Sequence, residues 1–122
     1  MTAVPASTLG QVAERVAAAT QRAWEVHGER VVLRETPVNG HARLTSLAAP
    51  TSRRVEYVVE CDDPDVWDVL AAATAANEWQ LCALVPLALM GTAHERLCDH
   101  GFELQGWWLQ GDHVAFGGIE IA

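Results

Sequence analysis

Residues 55–85, VEYVVECDDPDVWDVLAAATAANEWQLCALV, decide the fold. Apolar and acidic side chains alternate over residues 55–61, which is the period of two of a β-strand. Residues 62–65, Asp-Asp-Pro-Asp, then offer a capping carboxylate, a proline for the first helical position and negative charge for the helix dipole. The helix is predicted to run to about Ala76, with Asn77 closing it. The apolar run at residues 81–85 is typical of a strand buried on both faces, so we expect two parallel strands joined by a helix.

The N-terminal part of the chain predicts a helix and a hairpin. Apolar residues recur at helical spacing after Ser7 or Thr8, either of which suits an N-cap. The helix is predicted to end near His27, because Gly28 can take the left-handed conformation that follows many helices. Residues 37–40, Pro-Val-Asn-Gly, lie between two apolar runs, and Asn-Gly in that position is a strong signal for a β-hairpin.

The C-terminal part predicts a third helix followed by a second hairpin. Residues 92–95, Thr-Ala-His-Glu, have the spacing of a capping box, so we expect a helix over residues 92–100. Residues 102–109 and 114–121 have the composition of strands, with Gln-Gly-Asp as a tight connection between them.

The predicted element order is therefore αβββαβαββ. We expect an α/β fold in a single domain, residues 7–122, with a mixed sheet and three helices, after a flexible N-terminus at residues 1–6; an α+β arrangement is the alternative. The second half should contain two crossover connections, with the strand at residues 81–85 parallel to both neighbours. The two hairpins would extend this sheet with antiparallel strands.

The charge balance narrows the choice of partners. The formal net charge is −8, from 16 acidic and eight basic residues, and none of the basic residues is a lysine. Nucleic-acid binders usually carry a basic surface that releases counterions from phosphates, so we expect no nucleic acid as partner. A chain without lysine cannot form a Schiff base or a P-loop.

The spacing of the cysteines and the hydropathy of the chain indicate its cellular location. The three cysteines are far apart in sequence and form no CxxC pair, which favours reduced thiols and a cytoplasmic location. Apolar runs stay shorter than the roughly 18 residues of a membrane-spanning helix, so we expect no membrane contact. His94 and Cys98 are predicted to share one helix face, and Cys61, Cys82 or His100 would be needed to complete a zinc site with them. The close-spaced pairs of zinc motifs are missing. We therefore expect neither a metal nor a cofactor.

A candidate site for an enzyme or a small-molecule-binding domain follows from the predicted topology. Ligands of open α/β sheets lie beyond the carboxyl ends of the parallel strands. Asp62 and Asp63 follow the first of these strands, and Thr92 with His94 follows the second. Paired carboxylates suit acid–base chemistry, and a capping threonine leaves N–H groups for an anion. The same residues are also what two helix starts require, so both interpretations stay open here.

The order of the first six elements, residues 8–85, resembles the core of the restriction-endonuclease-like nucleases. Glu56 and Glu60 lie on the strand that carries the acidic motif of that family. The motif continues from its acid to a lysine two residues later, whereas this chain has Glu56-Tyr57-Val58 and Glu60-Cys61-Asp62. An inactive scaffold similar to that family is therefore a further alternative for the function.

The last predicted strand points to self-association. It closes the sheet at one edge, and lysine and proline, which usually protect such edges, do not occur in it. Trp107 and Trp108 are adjacent on the preceding strand and must face opposite sides of the sheet. We expect Trp107, Trp108, Phe116 and Ile119 at an interface with a protein partner or a second copy, the latter forming a homodimer. The alternative is that Gly117-Gly118 marks a β-bulge that twists this edge away from a neighbour, with the tryptophans covered by the first helix. The favoured function is thus a non-catalytic interaction or regulatory module; an enzyme is the alternative.

Overall fold

The computed structural model describes residues 6–76 and 78–122. The expectations for a flexible N-terminus and for Asn77 as the end of the second helix lie wholly or largely outside these residues. The described helices and strands follow in the order α1 (Ala6–Val26), β1 (Val32–Pro37), β2 (Arg43–Ala49), β3 (Arg54–Val58), α2 (Pro64–Ala76), β4 (Gln80–Pro86), a 3₁₀ turn (Leu87–Leu89), α3 (Met90–Leu97), β5 (Phe102–Gln110) and β6 (His113–Ile121).

The six described strands form one mixed sheet in the order β1-β2-β3-β4-β5-β6. Strands β1, β2 and β3 pair antiparallel, β4 is parallel to both β3 and β5, and β6 returns antiparallel to β5. The predicted α/β class, element order and central parallel strand are confirmed. Only the 3₁₀ turn before α3 is added to the predicted order.

Helices cover both faces of the sheet and create two apolar cores. On one face, α1 packs through Val16 and Ala17 against β-strand side chains that include Leu84 of β4. On the other face, α2 and α3 pack against the alternate side chains of β4, which include Ala83. Residues 81–85 are all buried, as expected for a strand with no face in water.

Helix α3 begins and ends earlier than the predicted residues 92–100, at Met90 and Leu97. Pro86 ends β4, and the chain turns directly through residues 87–89 into a helix that starts at Met90. Thr92 is therefore inside the helix rather than at its N-cap, so the predicted capping box is wrong. Gly106 of β5 permits the close approach of this turn, because a Cβ there would lie 3.1 Å from Leu87 Cδ1.

The predicted β1–β2 hairpin is present, and its connection is longer than a two-residue turn. Residues 38–42 form a five-residue loop, and Asn39 organises it through its side chain. Asn39 Oδ1 accepts hydrogen bonds from the backbone N–H groups of His41 at 2.7 Å and Ala42 at 2.8 Å. An asparagine that bonds to the backbone after it forms a local turn, so the Asn-Gly pair marks the hairpin but sets a longer loop.

None of the described helices is long and apolar enough to cross a membrane.

We predict that Leu84→Asp prevents folding. A carboxylate in this strand would be buried without a partner, at a cost of several kcal/mol, whereas a domain has a total stability of about 5–15 kcal/mol. Thermal and urea unfolding followed by circular dichroism will check this, with Val69→Asp, at an exposed position of α2, as the control that should still fold. A cooperative transition of Leu84→Asp near that of the wild type would contradict the two-sided burial of β4.

Candidate functional site

The strand-end carboxylates of the predicted site are engaged in structural hydrogen bonds. Asp62 Oδ1 accepts the indole N–H of Trp67 at 2.8 Å, which joins the end of β3 to the buried tryptophan of α2. Asp63 Oδ1 accepts the backbone N–H of Asp65 at 2.9 Å, in the first turn of α2. The Asp63 contact is that of a helix start, and the Asp62 contact holds Trp67, so both carboxylates have structural partners.

Asp63 also ties α2 to the β1–β2 loop. Asn39 Nδ2 donates to Asp63 Oδ2 at 3.2 Å and to Asp65 Oδ2 at 2.7 Å. One asparagine thus shapes its own loop through Oδ1 and holds the helix start through Nδ2. The acids of residues 62–65 stabilise the junction between a hairpin and a helix.

Thr92 and His94 belong to a different part of the molecule. His94 Nε2 lies 2.7 Å from Glu120 Oε1, which links α3 to the edge strand β6. Asp63 contacts the β1–β2 loop, next to the opposite edge of the sheet. Among the hydrogen bonds of the described residues, none joins Asp62 or Asp63 to Thr92 or His94, so the predicted site is divided between two edges.

The cysteines near these residues are held as thiols. Burial raises the pKa of Cys61, and the neighbouring carboxylate of Asp63 raises it further. A thiol whose pKa is raised is a poor nucleophile. Cys82 lies on the α1 face of the sheet, whereas His94 is on α3, across the sheet. In residues 6–76 and 78–122, no three His, Cys, Asp or Glu side chains converge as a metal site would require.

Loop residues and the end of β3 enclose a cavity of about 290 Å³, lined by Pro37, Asn39, Gly40, His41, Ala42, Arg43, Glu60 and Cys61. Burial raises the pKa of Glu60, Arg43 lowers it, and Glu35 adds to the increase. Asp62 and Asp63 are not among the lining residues. This cavity is therefore distinct from the predicted strand-end site.

A cluster of charged side chains lies between α1 and the sheet. Arg54 of β3 bonds two carboxylates: Nη1 lies 2.6 Å from Glu103 Oε1, and Nε lies 3.2 Å from Glu56 Oε1. Glu56, Cys82 and Glu103 stand side by side in register on β3, β4 and β5. The side chains of Arg54 and Glu56 are only 16% and 9% exposed, so most of this ion pair is removed from water.

Trp24 of α1 covers the cluster. Its indole N–H donates to Glu56 Oε1 at 3.3 Å, and its ring lies 5.9 Å from the guanidinium carbon of Arg54. A guanidinium near an aromatic face is a favourable cation–π arrangement. Together with the two carboxylates, the indole offsets the cost of placing a charge beneath a helix.

The cluster shifts the pKa values of its members in ways that follow from burial and charge. Burial works against the charged form of Arg54, but its hydrogen bonds to Glu103 and Glu56 outweigh this and raise its pKa. Burial, reinforced by the charge of Glu56, raises the pKa of Cys82 to about 12. Cys82 is therefore a neutral thiol and packs as a small apolar side chain.

A groove of about 260 Å³ opens beside this cluster, along the C-terminal half of α1. Its lining combines aromatic, apolar and polar side chains: Thr20, Ala23, Trp24, His27, Glu56, Gln105 and Phe116. The groove joins one half-buried aromatic ring of the helix, one of β6 and a buried carboxylate of β3. Such an arrangement can hold a small organic molecule by both charge and apolar contact.

The edge strand β6 contains a β-bulge that aligns its apolar side chains. Gln105 pairs with Ile119 and Trp107 pairs with Phe116, so two glycines of β6, Gly117 and Gly118, lie opposite one residue of β5. The extra residue places only apolar side chains of β6 beside the α1 face of β5. These side chains are Val114, Phe116, Ile119 and Ile121. We call these four residues the β6 stripe.

The four residues predicted at an interface have different environments. Trp107 is 7% exposed in the core beneath α1, where its indole N–H donates to the Leu84 carbonyl, so it does not belong to an exposed surface of the monomer. Trp108 is half-buried on the other face, with its ring near Gly117. Phe116 is half-buried in the β6 stripe, whereas Ile119 is 54% exposed.

The charged cluster and the groove were missed by the sequence analysis. One signal was present: Arg54 and Glu56 lie two apart on a predicted strand and must share one face. A strand between helices buries that face, and buried charges are usually paired. Their partners, Trp24 and Glu103, are distant in sequence, so only the assembled sheet identifies them.

We predict that Asp63→Ala lowers the free energy of unfolding by about 1–2 kcal/mol, the usual value of an N-cap. The loss follows from the bonds that Asp63 makes to the Asp65 N–H and to Asn39. Urea unfolding will measure it, with Asp68→Ala, at an exposed position of α2, as a control that should change stability by less than about 0.5 kcal/mol. Equal stabilities of Asp63→Ala and the wild type would contradict the structural role.

Comparisons with protein-family models, with curated proteins and with solved structures found no match to this chain.

Proposed function

We propose that the protein is a non-catalytic interaction module that associates with a second copy of itself by pairing of the β6 strands. One observation carries the proposal. β6 is a nine-residue strand at the edge of the sheet, and its β6 stripe ends in Ile119 and Ile121, which are 54% and 79% exposed. An unpaired strand edge beside exposed apolar side chains is a template for addition of another strand.

The two edges of the sheet differ in how well they are protected. β1, at the other edge, ends in Pro37, which has no N–H to donate. β1 also carries Arg34 and Glu35, and Glu35 lies 3.8 Å from Arg43 of the neighbouring strand. Charges and proline discourage strand addition. β6 has its bulge as protection, but it contains no proline and a single carboxylate, and this difference favours β6 as the associating edge.

The position of Glu120 supports a second copy of this chain as the partner that pairs with β6. It is the single carboxylate of β6, and it faces the α3 side of the sheet, where it contacts His94. The bulge thus keeps negative charge out of the β6 stripe. An antiparallel pair of β6 strands around a twofold axis would bring two such stripes together, and twofold dimers are the commonest soluble oligomers.

The environment of the strand-end residues supports a non-catalytic function. Asp62 and Asp63 serve α2 and the β1–β2 loop, and His94 serves β6. Cys61 and Cys82, whose pKa values are raised, are poor nucleophiles. Asp62, Asp63 and His94, which sequence analysis offered to an enzyme, thus each have a structural partner.

We predict that the wild type is a dimer at micromolar concentration and that Ile119→Arg is a monomer. Arginine at this position would place a charge in each half of the apolar contact. Light scattering coupled to size exclusion will give both masses. The matched control is Val32→Arg, at a position of the opposite edge that is 45% exposed, and this variant should stay dimeric.

Two results would overturn the proposal. The first is a monomer mass for the wild type at about 50 μM, well above the Kd of a stable dimer. The second is a dimer mass for Ile119→Arg together with a monomer mass for Val32→Arg, which would move the interface to β1.

A further inference from the structure

We propose that the groove between α1 and the sheet binds a small organic cation, an ammonium attached to an aromatic or other apolar group. The site consists of the groove residues defined above, and its lining includes Glu56, Trp24 and Phe116. The groove is formed within one chain, although it shares Phe116 with the β6 stripe.

The charge balance beside the groove favours a cation. Arg54 is the single cation of the cluster and bonds two carboxylates, those of Glu56 and Glu103. The three groups together carry one net negative charge in a half-buried setting. A positive charge in the groove would offset it, whereas an anion would add to it.

The hydrogen-bonding state of the lining also favours a donor as ligand. The Trp24 N–H donates to Glu56, and the Thr20 hydroxyl donates to the Val16 carbonyl at 2.9 Å. Gln105 Nε2 donates to the Gly117 carbonyl at 2.9 Å. Three lining donors thus have acceptors within the protein. The hydroxyl oxygen of Thr20, the amide oxygen of Gln105 and the Glu56 carboxylate can all accept, and an ammonium group has only donors to offer.

The aromatic lining suits the same class of ligand. Ammonium groups are attracted to the faces of tryptophan and phenylalanine, and aromatic walls with a nearby carboxylate are a common way to bind amines. The volume of about 260 Å³ is slightly below that of pockets for drug-sized ligands. An amine with one ring fits this size better than a nucleotide or a peptide.

The test uses three probes of similar size and shape that differ in charge. These are phenethylamine, which is a cation at neutral pH, phenethyl alcohol, which is neutral, and phenylacetate, which is an anion. Two-dimensional ¹H–¹⁵N spectra follow the tryptophan indole signals, with the Trp24 signal assigned from its loss in Trp24→Phe. We expect phenethylamine to shift the Trp24 signal saturably, and the alcohol and the anion to bind at least about tenfold more weakly.

Two variants separate the charge from the shape of the groove. Glu56→Gln removes the negative charge but keeps an acceptor for Trp24 and Arg54, and it should weaken phenethylamine binding about tenfold or more. Its matched control is Glu25→Gln, at an exposed position of α1, which should bind like the wild type. Ala23→Phe fills the groove from an exposed position without changing any charge, and it should abolish binding.

The proposal is overturned if no probe shifts the Trp24 signal up to about 10 mM, a concentration above the Kd of weak specific complexes. It is also overturned if amine and alcohol bind with similar affinity, or if Ala23→Phe binds the amine like the wild type. Should Glu56→Gln not fold, the probe series on the wild type and the Ala23→Phe variant still decide the question.

Discussion

Strand β4 has no face in contact with water, and the rest of the fold is arranged around that constraint. Cys82 and Leu84 face α1, whereas Leu81, Ala83 and Val85 face α2 and α3. A strand of this kind needs a neighbour on each side and a helix on each face. β3 and β5 are the neighbouring strands, both parallel to β4, and α1, α2 and α3 are the helices that cover its two faces. Each hairpin then extends the sheet outward to an edge.

The features that local sequence encodes were predictable, and the exceptions have local physical causes. The apolar run at residues 81–85 and the acidic start of α2 specify their elements within a few residues of chain. The start of α3 is determined instead by Pro86 and by the close packing of the following turn against Gly106. Asn39 was recognised as a turn residue, but the length of its loop depends on which backbone groups its side chain bonds.

The candidate sites were harder to predict, because their residues meet only in the assembled sheet. Asp62 and Asp63 lie between β3 and α2, and the sequence could not show that Trp67 and Asn39 bond to them. The cluster around Arg54 joins α1, β3 and β5, which are adjacent only through the intervening β4 and the packing of the helix. Its members depend on one another, since loss of any one would leave a buried charge with fewer partners. Charged side chains that are buried in an otherwise apolar core can therefore mark a place where a ligand supplies a further partner.

The two glycines of the β6 bulge determine on which side of the sheet the side chains after the bulge lie, because that side depends on the number of residues in the strand. Along a regular strand, each side chain alternates its face, so one inserted or deleted residue exchanges the two faces for everything that follows. Loss of either glycine would turn Glu120 toward α1 and away from His94, and would send Ile119 and Ile121 to the α3 side. Substitutions in this segment should thus disturb the structure less than insertions or deletions. The number of residues between Phe116 and Ile119 therefore determines which face each of the last side chains takes.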